Sequence, residues 1–407
     1  MQNKLIRNTA RNFLDILLAP IVRFGVPNCE IETPFRMFGQ PHHHTFIGYY
    51  DIQPFNRDNS KLLAGRCSSN HNSRAMNVPL EIGYFDLKTG GFTVLSSTDL
   101  WCWQMGCRLQ WINWRGEELI LFNSQFNGNP CTFIFDPIKN EIRKKLFFPT
   151  YAINRFATKI VSLDFDNLER CRKGYGYDFK LGGARSTEAT LVIHDLKTEM
   201  AIELVSSQSL RSINYQSSMD EEGAFHYFNH VHFNPSGSRI LFFHIWNTRN
   251  RRYVRALTIN PDGSEIRDVT GCNHVSHYWW LNDHEILLYC SHLKFGLGFY
   301  VYNQNGQFVR RLDKNIPSLD GHPCSHQQPW FVSDSVVNKN FERDLWLYNL
   351  ETENRVSLAK FFSPPRFSGS IRCDLHPRLS QDGRFIAVDS THAGHRQIVV
   401  LDISSVL

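Results

Sequence analysis

One pattern constrains this 407-residue chain more than any other: alternating apolar residues that end in Asp or Asn, cross a polar turn and alternate again. It runs as IGYFDLKTGGFTVL from Ile82, TFIFDPIKNEIRKKL from Thr132, TLVIHDLKTEMAIEL from Thr190 and VRALTINPDGSEIRDV from Val254. It continues as FYVYNQNGQFVRRL from Phe299 and LWLYNLETENRVSL from Leu345, and a half-copy, QIVVLDI, starts at Gln397. Period-two alternation on both sides of a turn is a β-hairpin. A second pair of strand signals precedes most copies, as in HVHFNPSGSRILFF from His230, HYWWLNDHEILLY from His277 and HPRLSQDGRFIAVD from His376. Units of about 45 to 60 residues with four strands each, seven in series, are the signature of a β-propeller.

The expected fold is therefore all-β: a single seven-bladed β-propeller of four-stranded blades over residues 29–407, with an N-terminal helix or extension over 1–28. Beyond residue 30 no long helical period survives, which removes doubly wound sheets and α/β barrels. The seventh unit runs out after its third strand, and an unpaired edge is a liability. The segment Cys29–Met37 is predicted to supply the missing outer strand and close the ring. Within residues 4–25, Leu5, Ile6, Ala10, Phe13, Leu14, Leu17 and Leu18 recur at helical spacing. That reads as a helix capping the domain or as a peripheral contact with a membrane. Asp15 and Pro20 interrupt the short apolar run, so it does not read as a secretory signal.

A chain with 20% charged, 13% aromatic and 42% apolar residues is neither disordered nor a coiled coil. No apolar stretch is long enough for a transmembrane helix. A net charge of +5 without a basic run gives no reason to expect nucleic acid and suits an anionic ligand. Ten irregularly spaced cysteines point to reduced, buried thiols and a cytoplasmic location, peripheral to the inner membrane if the N-terminal helix binds it.

The 18 histidines gain an address once the units are aligned. His277, His322 and His376 lie eight residues before Glu285, Trp330 and Arg384, and His230 lies nine before Arg239. Four consecutive units carry His at the start of the innermost strand, and in a propeller those starts open on one face of the channel. Any one of them alone would read as a residue bonding its neighbouring blade. Four at one register point to a divalent metal or a catalytic centre. Asp374, two residues before His376, has the alternation to join them. From the first unit Tyr49, Tyr50 and the run His42, His43, His44 would face the same mouth. Arg372 shares a segment with Asp374 and His376 and is the candidate carboxylate clamp. Arg108, Arg185 and Arg211 are further cations near the same register, although single arginines usually serve blade packing. The insert from Asn167 to Ala189 reads as a loop over one face, whose Tyr175 and Tyr177 would stack on sugar rings, donate a proton or simply pack. No GxGxxG, GxxxxGK[ST], GxSxG, HExxH or recurring Trp-Asp signature is present.

The segments NHVHFNPSG, NPDGSEIRDVTG, SHYWWLND and DLHPRLSQDG resemble the seven-bladed propeller of oligogalacturonate lyases, over about residues 228 to 403. HTFIGYYDIQPFN, QMGCRLQW, SLDFDNLERCRKGYGY, DGHP and RCDLHPR are similar to motifs of uncharacterised bacterial propellers of the same superfamily, associated with polysaccharide gene clusters. The lyase resemblance implies a metal-dependent enzyme that splits oligo-uronates by β-elimination. It places His230 at the base position and His277 and His376 at metal ligands. Asp374 stands where that family has a further imidazole, Ile371 where it has a glutamine ligand, and Arg211 nearest its catalytic arginine. The expectation is a carbon-oxygen lyase acting on an acidic oligosaccharide or polysaccharide. Its metal, Mn2+ with Zn2+ or Ca2+ as alternatives, is held by His277, His322, His376 and Asp374. Catalytic roles fall to His230, Arg372, Arg211 and Tyr175, and substrate contacts to His44, Tyr49, Tyr50, Arg108 and Tyr177. Two other classes stay open: a glycoside hydrolase or sugar-transferring enzyme, with Asp51 and Asp320 the nearest additional carboxylates, and a non-catalytic glycan-binding propeller.

Overall fold

The structure, a computed structural model, describes residues 28–68, 78–179, 186–312, 315–316, 319–326 and 329–407. The N-terminal helix over 1–28 and its membrane contact through residues 4–25 lie outside the described residues apart from Asn28, as does Arg185.

Seven antiparallel sheets follow one another. Blade one holds His43–Phe46, Lys61–Ser68, Leu80–Asp86 and Phe92–Thr98, and blade two holds Gln110–Trp114, Glu117–Phe126, Asn129–Asp136 and Glu141–Leu146. Blade three is Ala152–Ile153, Lys159–Ser162, Thr190–Asp195 and Ala201–Ser206, and blade four is Phe225–Phe233, Ile240–Asn247, Arg252–Ile259 and Arg267–Asp268. Blade five comprises Val275–Trp280, Glu285–His292, Gly296–Asn303 and Phe308–Leu312. Blade six is built on Trp330–Asp334, Glu342–Asn349 and Arg355–Phe362, and blade seven on Arg378–Leu379, Phe385–Ser390 and Gln397–Asp402. On the channel side of blade six the chain is irregular and joins the sheet through one bridge, Cys324 with Val332.

The ring closes through the N-terminal segment, but not as one strand. Cys29–Ile31 pairs with Phe361, Lys360 and Ala359 on blade six, and Phe35–Phe38 pairs with Leu401 to Ile398 on blade seven. Pro34 explains the division: it has no N–H to donate, and its carbonyl accepts from Asp402 N at 2.8 Å where the chain crosses between blades.

The second strands read as unbroken apolar runs because both of their faces are covered by neighbouring blades. Ile240 to Trp246, in ILFFHIW, is buried throughout, and Ile286 to Cys290 likewise. All ten cysteines are free thiols, seven of them buried. Among the described residues no helix is long and apolar enough to cross a membrane.

Candidate functional site

The aligned histidines converge. Ring centroids lie 4.0 Å apart for His277 and His322, 4.3 Å for His322 and His376, and 5.6 Å for His230 and His277. In blades four and five the inner strands bring His230 and His277 there by breaking register. Pairing slips between Asn229 and His232 in blade four and between Val275 and Tyr278 in blade five, so each His occupies a bulge that turns its side chain toward the axis. His230 and His376 adopt φ of +55° and +46°, as do Arg108 at +59° in blade two and Gly48 at +120° in blade one. A non-glycine residue in this region needs a structure that holds it there. At His230 the hold is visible: its N–H donates to Tyr151 Oη at 2.8 Å and its carbonyl accepts from Tyr278 Oη at 2.9 Å.

Each imidazole in the centre is also oriented. Asp334, wholly buried, accepts from His322 N at 2.7 Å and His376 N at 3.1 Å, and lies 2.9 Å from His322 Nδ1. His376 Nδ1 donates to the Gly48 carbonyl at 2.9 Å, and His277 Nδ1 donates to Asp320 at 2.9 Å. Acceptor-only partners put the proton on Nδ1 and leave Nε2 as a lone pair. The Nε2 atoms of His322 and His376 are buried with no hydrogen-bond partner, and that of His376 lies 3.9 Å from Asp374 Oδ2. With an Asp374 oxygen they form a group whose ligand atoms all lie within 4.8 Å of one another. Two orphaned imidazole lone pairs beside a carboxylate, each imidazole braced from behind, fit a divalent cation. His277, expected as a fourth ligand, sits beside this group rather than in it.

Asp374 is bound by Arg343 Nη2 at 2.8 Å and by Arg372 Nε at 2.8 Å. Burial alone would raise its pKa, but the two guanidiniums outweigh burial and hold the carboxylate well below its ordinary range. Burial, and then the positive charge of Arg172, pushes His230 well below 6.5, so it is neutral at physiological pH. His376 is depressed by burial and by His322, and His277 by burial, which Asp320 partly offsets.

A short helix brings a further group over the funnel. Helix α1 (Phe165–Cys171) starts at Asp164, whose side chain accepts from Asp166 N and Asn167 N at 3.0 Å. It ends at Arg172, and Glu169 then staples the following turn by accepting from Gly174 N at 2.7 Å and Gly176 N at 3.2 Å. A Cβ on Gly176 would stand 2.1 Å from Phe165 O, so only glycine fits. The result is a fixed pair. Arg172 Nη2 donates to Tyr175 Oη at 2.9 Å, its Nη1 lies 3.4 Å from His230 Nε2, and Arg372 donates to the same phenol oxygen. Tyr49 completes the wall, with its hydroxyl 3.3 Å from His230 Nδ1 and its ring 4.7 Å from that of His376. Tyr50 packs at 5.2 Å against His322 and donates to the Tyr278 carbonyl at 3.2 Å.

The structure thus assembles His230, His277, His322, His376, Asp374, Arg372, Tyr175, Tyr49 and Tyr50 in one place, and sets four other expected residues apart. Arg211 is bound by Glu188 at 2.5 Å and Asp220 at 3.2 Å, and the guanidinium that lies beside His230 is that of Arg172. Tyr177 stacks on Phe165 at 4.4 Å and accepts from Asn123 at 3.0 Å, which is packing. His44 accepts from Arg396 N at 3.0 Å and abuts Trp103 and Phe367. Arg108 is buried in a bidentate pair with Asp51 at 2.7 and 3.0 Å, its guanidinium spent on that carboxylate. Sequence reasoning missed Arg172, Asp334 and Arg343. Arg172 carried a faint signal, three residues before Tyr175 in the insert, whereas Asp334 and Arg343 lie in ordinary strand alternation.

No protein-family model matches the sequence, and no curated protein does. Solved structures do. An oligogalacturonate lyase in complex with manganese superposes at a TM-score of 0.62 and 17% identity, over 93% of this chain and 98% of its own. The oligogalacturonate lyase of Vibrio parahaemolyticus superposes at 0.63 and 14% identity, over 93% and 99%. Over nearly its whole length, this chain has the seven-bladed propeller fold of the oligogalacturonate lyases.

Proposed function

We propose that the funnel is the active centre of a metal-dependent lyase that cleaves an acidic glycan by β-elimination. The observation that carries this reading is the juxtaposition of a neutral imidazole, His230, with a cation-binding group and two guanidiniums. A uronate C5–H is too weak an acid to lose its proton unaided at neutral pH. Bound to His322, His376 and Asp374, with His277 beside them, a divalent cation (manganese is our assignment) would supply Lewis-acid neutralisation of the substrate carboxylate.

The remaining steps belong to the side chains. Arg372 and Arg172 orient the carboxylate and offset the charge that grows on it as C5 is deprotonated. His230, neutral and held by its backbone, accepts the C5 proton on Nε2 or Nδ1. The electron pair left on C5 forms the C4–C5 double bond and expels the C4 oxygen. Tyr175 donates its proton to that oxygen, and the two guanidiniums on its hydroxyl stabilise the phenolate left behind. Proton exchange with solvent resets both residues.

Hydrolysis fits less well, because it calls on two carboxyl groups free to act as acid and base or nucleophile. Asp374 is held by two arginines, Asp320 by His277 and Ser276, and Asp334 by His322. The test is a panel of oligo-uronates scored for the ultraviolet absorbance of an unsaturated product. Absorbance that appears with the protein and falls at least about 100-fold in His230→Ala supports the reading. Reducing ends released without absorbance would overturn it in favour of hydrolysis, and binding with neither signal would leave a glycan-binding module.

A further inference from the structure

The inner strands carry the histidine centre at His230, His277, His322 and His376, and residues two to five positions further along belong to a different lining. There all seven blades line one open cavity of about 600 Å³. Arg57, Trp111, Arg155, His232, Trp279, His326 and Gln381 come from blades one to seven in turn. A volume of this order is that of a small-molecule site, about 300 to 1,000 Å³. The charge of the buried Asp51–Arg108 pair bears on Tyr50 of the funnel and on His232 of the cavity wall. None of the funnel residues lines the cavity.

Its wall carries unfinished polar business. Trp111 is 6% exposed, yet its Nε1–H has no protein partner, and neither has the buried Nδ1 of His232. Such groups are uncommon in native interiors and call for an explanation. Around them Arg57, Arg155, His326 and Gln381 are exposed, and neither guanidinium has an ion-pair partner among the described residues. Trp279 is half-buried, 5.1 Å from the His232 ring, and offers indole surface between them.

We propose that this mouth is a second binding site, for an acidic sugar unit. Sugar hydroxyls both donate and accept, which suits an indole N–H and an imidazole nitrogen. The apolar face of a pyranose suits indole, and a carboxylate suits the guanidiniums. The proposal does not depend on the funnel being a lyase centre.

The test is calorimetric titration of the full chain with sodium D-galacturonate, with D-galactose and ADP as comparison probes. Arg155→Ala alters an exposed residue and Trp111→Phe removes only the N–H while keeping an aromatic ring. Each is expected to weaken galacturonate binding at this site by about 10-fold or more, with a cooperative thermal transition retained and activity at the funnel unchanged. Binding in His322→Ala, or in Arg372→Ala if the first does not fold, is expected to persist at one site per chain. Galacturonate binding unmoved by both mouth variants, or absent once the funnel is altered, would overturn the proposal, as would tighter binding of ADP or equal binding of galactose.

Discussion

Arg172 and Tyr175 separate what a residue type implies from what its position implies. A tyrosine in a loop is ordinarily packing, as Tyr177 is, two residues on. Tyr175 differs because two guanidiniums donate to its oxygen and one of them also reaches His230. Replacing Tyr175 with Phe should lower turnover by about 10²-fold or more with little change in KM, as loss of a proton donor would. Replacing Arg172 with Ala should lower kcat/KM by a similar factor and raise the pKa of His230, because a neighbouring positive charge has been removed. An NMR titration of His230 checks the second outcome, and an unmoved resonance would sink it. The metal assignment is tested by elemental analysis: the purified chain should carry about one divalent ion, and His376→Ala should lose it while staying folded. The four histidines were legible because a repeat turns them into a column. Asp334 and Arg343 were not, since a carboxylate ending a strand looks the same whether it faces solvent or holds the His322 imidazole and the backbone N–H of His376.

At the scale of elements, the loop after α1 is the least repetitive part of the fold and the one that makes the funnel specific. It was legible as an insert over one face and no further. Its shape rests on Glu169 and on two glycines that no pattern announces. Gly176→Ala forces a Cβ to 2.1 Å from Phe165 O, so the turn must open. The expected result is loss of activity comparable to Tyr175→Phe, while the propeller, whose sheets do not depend on this loop, keeps its far-ultraviolet spectrum. Unimpaired activity in that variant would show that the loop does not position the pair. The closing strand was also half legible. Edge pairing demanded it, and only the accounting of backbone partners on both sides of Pro34 shows that one segment serves two blades.

For the molecule as a whole, burial sets the response to acid. His194, His232 and His392 are pushed down to about 4 by burial, against an ordinary 6.5. Their unfolded-state pKa is higher, so the unfolded chain takes up protons that the folded chain refuses. The stability they contribute is complete above pH 6.5 and is lost as pH falls from there toward 4. Asp402, held at about 2 first by the Arg384 hydrogen bond, adds a further loss only below about pH 4. The urea midpoint should therefore fall between pH 7.5 and pH 5 with the slope m unchanged, and a flat midpoint over that interval would contradict the argument.

Ring closure by residues Cys29–Ile31 and Phe35–Phe38 also has a meaning in time. The portion of the chain synthesised early is the portion the last two blades need, so it must wait, unpaired, until more than three hundred residues have been made. Contacts this distant in sequence are slow to form. A circular permutant that carries residues 28–38 after Leu407 would make them neighbours of their partners. It should refold several-fold faster than the natural order at nearly the same stability. Until that seam is sewn, the outer edges of blades six and seven are open templates, which makes the interval between their formation and ring closure the period when this chain is most prone to pair with another copy of itself.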